Sequence, residues 1–216
     1  MSQSIYLEIL GSATISAPQE IEMLNMKTLV PKMVVRRRLT RAAKMVIYLS
    51  DKVAFDKGRI VYGSSFGELP ATANILHSIQ NEESISPTHF QNSVYNTAVS
   101  YLSILNQNKE EILTISSGDK TAYNVLKAGA IKALDGDEVL LILTETIHIE
   151  NIEEVNACGM DLESAVALKV KQTMQKPTME YRDFVHEKRI SKSLYPMFEI
   201  AQHVQKDIPN IIEITL

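Results

Sequence analysis

The feature that most constrains this chain is a short apolar run that turns abruptly into a helical pattern within residues 112–134. Residues 112–115 are apolar or β-branched, as in a buried strand, and apolar residues then recur with helical spacing from residue 120. A strand that turns sharply into a helix is where several enzyme classes hold a nucleophile, because free N–H groups at the helix start stabilise negative charge. The turn consists of four residues, which are Ser116, Ser117, Gly118 and Asp119.

Strand and helix patterns alternate along the whole chain, which predicts an α/β fold of layered α-β-α type with a mixed central sheet. Residues 138–144 are apolar on both faces, as a central strand should be, whereas residues 164–172 change to an alternating pattern that indicates a strand nearer an edge. Further strands are predicted over residues 5–10, 59–62, 111–115 and 210–216, with Gly11 and Ser12 ending the first. Helices are predicted over residues 38–55, 69–80, 87–105 and 120–134, with one or two more between 179 and 206.

Composition limits the classes of partner and cofactor. The chain carries 22 Lys and Arg against 26 Asp and Glu, a formal charge of -4, which gives no general affinity for nucleic acid. The run of Arg36, Arg37 and Arg38 with Arg41 indicates a solvated or interface-facing helix end rather than a polyanion site. One cysteine excludes an internal disulfide, and no segment approaches the ~20 apolar residues of a membrane span. We therefore expect a cytoplasmic protein with no cofactor, no metal, no nucleic-acid partner and no membrane span.

The serine turn has two interpretations. As a helix start, Ser117 or Asp119 would accept a hydrogen bond from a first-turn N–H and stabilise the helix by about 1 kcal/mol. As a nucleophile, a serine needs a base within hydrogen-bond reach, and the turn also lacks the Gly-x-Ser-x-Gly pattern of hydrolases. We favour the helix cap. No motif marks any of the five histidines as a base, and these are His77, His89, His148, His186 and His203.

Two other segments could carry chemistry. Cys158 lies in an Ala-Cys-Gly sequence and could be a thiol nucleophile, but a lone cysteine is more often a small buried or loop residue. Residues 63–68 follow a strand and could cradle a phosphate, but they lack the lysine and the glycine spacing of nucleotide-binding loops. A turn with a glycine at positive φ explains this segment better. No group of His, Asp and Glu has metal-ligand spacing.

Taken in order, several segments resemble the N-terminal half of the β-ketoacyl synthases, which have the thiolase-like fold. The resemblance covers about residues 1–172, and its order and spacing are more specific than any one motif. It is most similar to the short ketosynthase-like N-terminal domain type of aryl-polyene and flexirubin pathways, often called chain-length-factor-like. The matching segments are an arginine-bearing helix start (36–44), a glycine-rich turn (63–68), a proline-to-asparagine segment (86–98), the strand and serine turn (115–118) and a turn into the next strand (135–142).

The resemblance implies one half of a thiolase-like fold and a departure from the family's chemistry. Residues 1–172 would form the ketosynthase-like N-terminal domain, and residues 173–216 a helical tail with a possible closing strand packed on it. Ser116, or Ser117 after a slip of one residue, stands where the condensing enzymes have the cysteine that carries the acyl chain. A serine alkoxide is far harder to generate than a thiolate, whose thiol titrates near ~8.5. The family's two catalytic histidines lie in its C-terminal half, and their motifs do not occur here.

The resemblance therefore implies a non-catalytic subunit that assists acyl chain elongation in fatty-acid, polyketide or aryl-polyene biosynthesis. Its partner would be a full-length ketosynthase or a second copy of this chain, with acyl carrier protein as a further partner. The alternatives are a small acyl-transfer or hydrolytic enzyme using Ser116, Ser117 or Cys158, and a homodimeric binding or scaffold module. The small-residue face of the helix after the turn is the candidate packing surface. Structural or interface roles are expected for Gly118, Asp119, Ala122, Gly129 and Asn96.

Overall fold

The computed structural model describes residues 3–16, 24, 26–146, 163–179, 190–204 and 208–216. In these ranges the strands are β1 (Ser4–Ser16), β2 (Arg59–Gly63), β3 (Ile112–Ile115), β4 (Val139–Glu145), β5 (Ser164–Thr173) and β6 (Ile211–Thr215). The helices are α1 (Met26–Leu29), α2 (Met33–Arg36), α3 (Arg41–Lys52), α4 (Leu69–Gln80), α5 (Pro87–Asn92), α6 (Thr97–Asn106), α7 (Thr121–Lys132) and α8 (Tyr195–His203). Two 3-10 turns, Gly118–Lys120 and Lys192–Leu194, precede α7 and α8.

The strands form one six-stranded sheet in the order β3-β2-β4-β5-β1-β6. Strands β3, β2 and β4 run parallel, and β5, β1 and β6 are each antiparallel to the preceding strand in that order. Helices α3 and α6 cover one face of the sheet, whereas α7 and α8 cover the other. The predicted α-β-α layering with a mixed central sheet is therefore confirmed.

Strand β4 shows why its sequence is apolar throughout. Leu141 and Leu143 point into the core beneath α7 and α8, and Leu140 and Ile142 point into the core beneath α3 and α6. Successive side chains of a strand alternate between faces, so a strand covered by helices on both sides has no solvent face. The prediction of a central strand here is confirmed.

Two strand predictions were wrong in detail. Strand β5 is not near an edge, because it pairs with β4 on one side and β1 on the other. Strand β1 does not end at Gly11, because the pairing of β1 with β5 shifts register between Ile9 and Gly11 and then continues to Ser16. At this bulge a Cβ on Gly11 would lie 3.3 Å from the carbonyl oxygen of Val53, so glycine permits a close approach of α3.

The helix predictions differ from the structure mainly at helix ends. Helix α4 has the predicted bounds, but the predicted helix 87–105 is two helices, with Thr97 beginning the second. Helix α3 begins at Arg41 rather than near Arg38, because the hydroxyl of Thr40 accepts a hydrogen bond from the N–H of Ala43 at 3.1 Å. In the tail, α8 and β6 confirm a helix and a closing strand, whereas residues 180–189 and 205–207 lie outside the described part.

The small-residue face of α7, expected to be a packing surface, packs inside this chain. Ala122 and Ala130 are fully buried, and a Cβ on Gly129 would lie 2.3 Å from the nearest methyl of Leu141 in β4. Small residues are required because α7 lies directly against the sheet. Of the structural or interface roles expected for Ala122 and Gly129, these contacts support the structural one, which is packing inside the chain.

We expect Gly129→Ala to lower the free energy of unfolding by about 1–2 kcal/mol. Overpacking costs about 1–3 kcal/mol. Three side-chain atoms of the buried Leu141 lie within 3.1 Å of the added Cβ, so we expect the upper part of that range, about 2–3 kcal/mol, against a gain of about 1 kcal/mol in helix propensity. Urea denaturation followed by circular dichroism measures the difference, with the exposed α7 substitution Asn124→Ala as the matched control. An unchanged or higher stability of Gly129→Ala would contradict the close packing of α7 on β4.

Candidate functional site

The candidate site lies where the carboxyl ends of β2, β3 and β4 meet. Because these strands are parallel, the turns that follow them lie at the same end of the sheet, which is where α/β folds usually bind ligands. The turn after β2, residues 64–68, is called the β2 turn here, and residues 116–120 form the serine turn. Strand β4 contributes its last residue, Glu145. The hydroxyl of Ser116 donates a hydrogen bond to the carbonyl of Ser65 at 3.3 Å and so joins the two turns.

The serine turn is not held by the cap that the sequence predicted. The side chains of Ser117 and Asp119 make no cap hydrogen bond, because the 3-10 turn separates them from the first turn of α7. Thr121 holds the turn from the helix side: its Oγ1 accepts from the N–H of Ser117 at 3.0 Å and donates to the carbonyl of Gly118 at 2.7 Å. Gly118 has φ +55°, a conformation that favours glycine.

Ser116 and Ser117 are both exposed, and among the described residues no base is hydrogen-bonded to either hydroxyl. Within the described ranges, the one side-chain hydrogen bond of Ser116 is that to the Ser65 carbonyl, which cannot remove a proton from a hydroxyl. None of the described histidines, His77, His89 and His203, hydrogen-bonds Ser116. His148, His186 and Cys158 fall outside the described residues.

Glu145 is the centre of the polar contacts at this end of the sheet. The residue is fully buried, and its carboxylate accepts hydrogen bonds from the backbone N–H groups of Ser65 at 2.6 Å and Phe66 at 3.2 Å. The hydroxyls of Ser64 and Ser193 donate to it as well, at 3.1 and 2.6 Å. Burial raises the pKa of Glu145, and these donors offset part of that rise. The carboxylate therefore fastens the β2 turn and the 3-10 turn before α8 to the end of β4.

These contacts exclude phosphate binding by the β2 turn in the way considered from the sequence. The N–H groups of Ser65 and Phe66 bond Glu145, the N–H of Gly67 bonds the hydroxyl of Ser64 at 2.8 Å, and the N–H of Ser64 bonds the carbonyl of Ile115. No N–H of residues 64–67 is left for an anion. The expectation of a glycine at positive φ is confirmed, since Gly67 has φ +62°.

A second acidic side chain, Glu68, ends the β2 turn. Thr40 donates to its carboxylate at 2.6 Å, so Thr40 joins the start of α3 to the start of α4. Burial raises the pKa of Glu68 to about 7, against the lowering effect of the Thr40 hydrogen bond. Nearby, burial raises the pKa of Tyr62, whose hydroxyl hydrogen-bonds the hydroxyl of Thr144 at 2.7 Å. The site thus contains buried acids that hold turns in place, and Glu68 can change its charge near neutral pH.

Sequence reasoning missed Glu145, Glu68 and Ser193. A usable signal existed for Glu145, since a lone acidic residue at the end of a strand that is apolar on both faces must be buried and paired. No local pattern marks Ser193, which reaches Glu145 across 48 residues of sequence. Asn96, expected to be structural or interfacial, is exposed at the start of α6 and makes no side-chain cap bond.

No group of three His, Cys, Asp or Glu residues in the described part of the chain is placed to bind a metal ion. Within the same part, no helix has the length and apolar character to cross a membrane.

The family described as β-ketoacyl synthase, N-terminal domain, matches residues 12–210. Among solved structures, the chain is similar to the ketosynthase ApeO in complex with its chain length factor ApeC from Xenorhabdus doucetiae, with TM-score 0.64, 23% identity, and coverage of 78% of this chain and 80% of that chain. It is also similar to a β-ketoacyl synthase from Burkholderia phymatum STM815, with TM-score 0.60, 12% identity and coverage of 78% and 59%. The ishigamide ketosynthase/chain length factor gives TM-score 0.60, 14% identity and coverage of 77% and 62%. No curated protein matches the chain.

These likenesses establish the thiolase-like fold of the ketosynthases. The chain spans less than two thirds of the Burkholderia and ishigamide chains. The family match extends to residue 210, beyond residue 172 where the resemblance was expected to end. The added stretch includes α8 and the 3-10 turn that carries Ser193.

We expect Glu68→Gln to reduce the pH dependence of stability. A carboxyl whose folded pKa is about 7, against an ordinary 4.5, stabilises the fold fully below about pH 4.5 and loses this contribution as pH rises through 7. The loss is up to about 3 kcal/mol for wild type. Glutamine cannot ionise, so the decline across this window should become shallower, although Glu145 contributes in the same direction.

Urea unfolding at several pH values between 4.5 and 8 measures this decline. Glu110→Gln, an exposed carboxylate in the loop before β3, is the matched control. The same slope in Glu68→Gln as in wild type would show that Glu68 is not the group that titrates.

Proposed function

Because the chain belongs to the β-ketoacyl synthase N-terminal domain family, we propose that it is a non-catalytic ketosynthase-like subunit that assists acyl chain elongation. The observation that carries the proposal is the serine turn, which stands where the resemblance places the family's nucleophilic cysteine. There Ser116 is exposed and bonded to a backbone carbonyl. The biosynthetic class we propose is of the fatty-acid or polyketide type, with aryl-polyene formation as its specific form.

We propose that the partner is a full-length ketosynthase, with acyl carrier protein delivering the growing chain to the pair. Support comes from the similar structures that are complexes of a ketosynthase with a chain length factor. A further similar structure contains an acyl-carrier protein bound to its ketosynthase. These partners are properties of the similar proteins, and we assign them to this chain only as part of the proposal.

The free edge of β3 supports pairing with another strand. Strand β3 is an edge strand of the sheet, and in the described structure it pairs only with β2. The carbonyls of Glu111 and Ile115 accept from β2, at 3.0 Å from Ile60 N and 3.2 Å from Ser64 N. Backbone groups alternate in direction along a strand, so the N–H and C=O of Thr114 point away from β2. An unpaired edge of this kind is a template for a strand of the partner.

Exposed apolar side chains also lie on three consecutive helices, α4, α5 and α6. Only Ala71 of α4 is buried, and Phe90 and Ile104 are 69% and 72% exposed. Exposed apolar clusters of this kind mark interaction surfaces. We assign this surface, which we call the α4–α6 face, to the ketosynthase partner. Its large exposed apolar residues are Leu76, Ile79, Phe90, Val94 and Ile104.

A cavity of about 200 Å³ opens on the α4–α6 face between α5 and α6. Its lining includes the apolar residues Val94 and Ile104 beside the amides of Asn92 and Asn96. The Oδ1 atom of Asn92 is buried without a hydrogen-bond partner in the described structure. We propose that the partner closes this cavity and that its apolar wall contributes to the space for the acyl chain.

We also propose that residues 173–216 belong to the same domain as residues 1–172. The proposal is supported by the pairing of β6 with β1 and by the hydrogen bond from Ser193 to Glu145. The first contact makes β6 an edge strand of the sheet, and the second joins the tail to the end of the central strand β4.

Thr114→Pro should prevent the edge pairing. Proline removes the outward N–H and blocks the approach of a second strand, while the hydrogen bonds between β3 and β2 use other residues. Thr114→Ala is the matched control, because it keeps the N–H. Each variant is mixed with a ketosynthase encoded nearby. Light scattering after size-exclusion chromatography should then show a complex for wild type and for Thr114→Ala. The Kd of Thr114→Pro should rise about tenfold or more.

If Thr114→Pro and Thr114→Ala bind the partner equally well, β3 is not part of the interface. If complexes form only between copies of this chain, the partner is a second copy of the chain and not a ketosynthase.

Ser116→Ala should not reduce turnover in that complex. Among the described residues no base is hydrogen-bonded to the Ser116 hydroxyl, so product formation should stay within about twofold of wild type. A fluorophosphonate probe should label the native chain slowly and without selectivity for Ser116. Rapid stoichiometric labelling of Ser116, or condensation of acyl and malonyl carrier-protein substrates by the chain alone, would instead support an enzyme.

A further inference from the structure

A second cavity, of about 420 Å³, opens at the end of the sheet opposite the candidate site. It lies where α3 and α6 end and where residues 53–58 lead from α3 into β2, next to the amino ends of the parallel strands. Small-molecule sites usually measure about 300–1,000 Å³ and combine apolar walls with a few polar groups. This space, which we call the α3–α6 cavity, has that character: its lining includes Leu29, Ile47, Phe55 and Leu102 together with Asp51 and Asp56.

Hydrogen bonds fix the wall of the α3–α6 cavity in place. The N–H of Phe55 donates to the carbonyl of Ser50 at 2.9 Å, which closes the end of α3. The side-chain amide of Asn106 donates to the carbonyl of Asp56 at 2.8 Å and so joins residues 53–58 to the end of α6. Phe55 and Leu102 are buried, so the apolar part of the wall is packed as well. A site formed before binding loses less conformational entropy when a ligand enters.

The charged side chains that line the α3–α6 cavity are both acidic. Asp51 and Asp56 are exposed, and neither carboxylate forms an ion pair within the described ranges. The C-terminal ends of α3 and α6 add partial negative charge, because the last carbonyls of a helix have no intrahelical donor. The cavity therefore attracts a cation and disfavours an anion.

The nearest lysines in sequence do not neutralise these carboxylates. Lys52 and Lys57 each follow one of the two aspartates, but neither pairs with a carboxylate in the part of the chain that the structure describes. The ammonium of Lys52 lies instead 5.1 Å from the centroid of the Tyr48 ring. Lys169 donates to the carbonyl of Ala54 at 3.3 Å and is not part of the lining. Both carboxylates are therefore available to a ligand.

We propose that the α3–α6 cavity binds a small organic cation that carries an ammonium group on a short apolar body. Asp51 and Asp56 accept the charge-assisted hydrogen bonds of the ammonium, and Ile47, Phe55 and Leu102 contact the apolar body. An ammonium ion without such a body would leave the buried wall unused.

Other ligand classes fit the α3–α6 cavity less well. A fatty acid suits the apolar wall, but its carboxylate would lie beside two like charges. A metal ion suits the charges, but no group of three His, Cys, Asp or Glu residues in the described structure is placed to hold one. The proposal does not depend on the ketosynthase pairing, because the cavity lies at the opposite end of the sheet from the two turns.

The test uses the full chain and a series of probes of nearly equal shape, which are 4-phenylbutylamine, the neutral 4-phenylbutanol and the anionic 4-phenylbutyrate. Titrations are followed by the methyl NMR signals of Leu29, Ile47 and Leu102 at about 50 mM salt. The amine should shift these signals with a Kd of about 0.1–1 mM. The alcohol should bind at least about fivefold more weakly, and the acid should not bind at about 10 mM.

Substitutions separate the charge from the apolar wall. Asp51→Asn/Asp56→Asn should raise the Kd of the amine at least about fivefold and change that of the alcohol by less than about twofold. The matched control Glu82→Gln/Glu83→Gln removes the same charge at exposed sites after α4, and its Kd should stay within about twofold of wild type. Leu29→Trp fills the cavity and should weaken both the amine and the alcohol about fivefold or more.

Equal effects of the two charge variants on the amine would overturn the proposal, as would an alcohol or acid that binds as tightly as the amine. Methyl shifts confined to Val94 and Ile104 would also overturn it, because these residues line the cavity on the α4–α6 face. Tighter binding of Ca²⁺ or of a lysine-rich peptide than of the amine would do the same. Thermal unfolding should confirm that each variant is folded. If Leu29→Trp does not fold, the probe series and the aspartate variant still decide the outcome.

Discussion

The carboxylate of Glu145 is the constraint on which the organisation of this end of the molecule depends. A charged group without access to water is strongly destabilising unless hydrogen bonds replace its hydration. Glu145 obtains these from the β2 turn and from Ser193, which belong to different parts of the sequence. Removing the carboxylate would leave two backbone N–H groups and two hydroxyls without an acceptor, so the two turns and the strand are fixed together.

This arrangement has a chemical consequence as well as a structural one. The same N–H groups that could stabilise an oxyanion or a phosphate are already bonded to Glu145, Ser64 and Ile115. The neighbouring serine turn is held by Thr121 and by the contact of Ser116 with the β2 turn. Both turns are thus bonded internally, which suits a surface that must keep its shape for a partner better than one that must receive a charged transition state.

The sequence predicted those elements whose pattern is local. The two apolar faces of β4 required a central strand, and α4 has the bounds that its periodicity indicated. Features decided by distant contacts were not accessible: Gly11 continues β1 because α3 approaches it closely, and β5 is internal because β1 pairs on its far side. The small residues of α7 were correctly seen as a packing face, but its occupant is the sheet of the same chain. At the serine turn, the expected side-chain cap is absent because a 3-10 turn precedes α7, and sequence spacing alone does not reveal that turn.

Unpaired backbone and exposed apolar side chains lie on the elements next to both turns. The free backbone of β3 directly precedes the serine turn, and the α4–α6 face begins on α4, directly after the β2 turn. Tyr95, at the border of the α4–α6 face, places its ring 3.1 Å from where a Cβ on Gly67 would lie, and its hydroxyl is 3.5 Å from the Ser65 carbonyl. A change in either turn would therefore move the surfaces around it. Because packed elements shift together rather than deform one by one, an interface formed by these surfaces depends on the strand, the turn and the helix all keeping their positions.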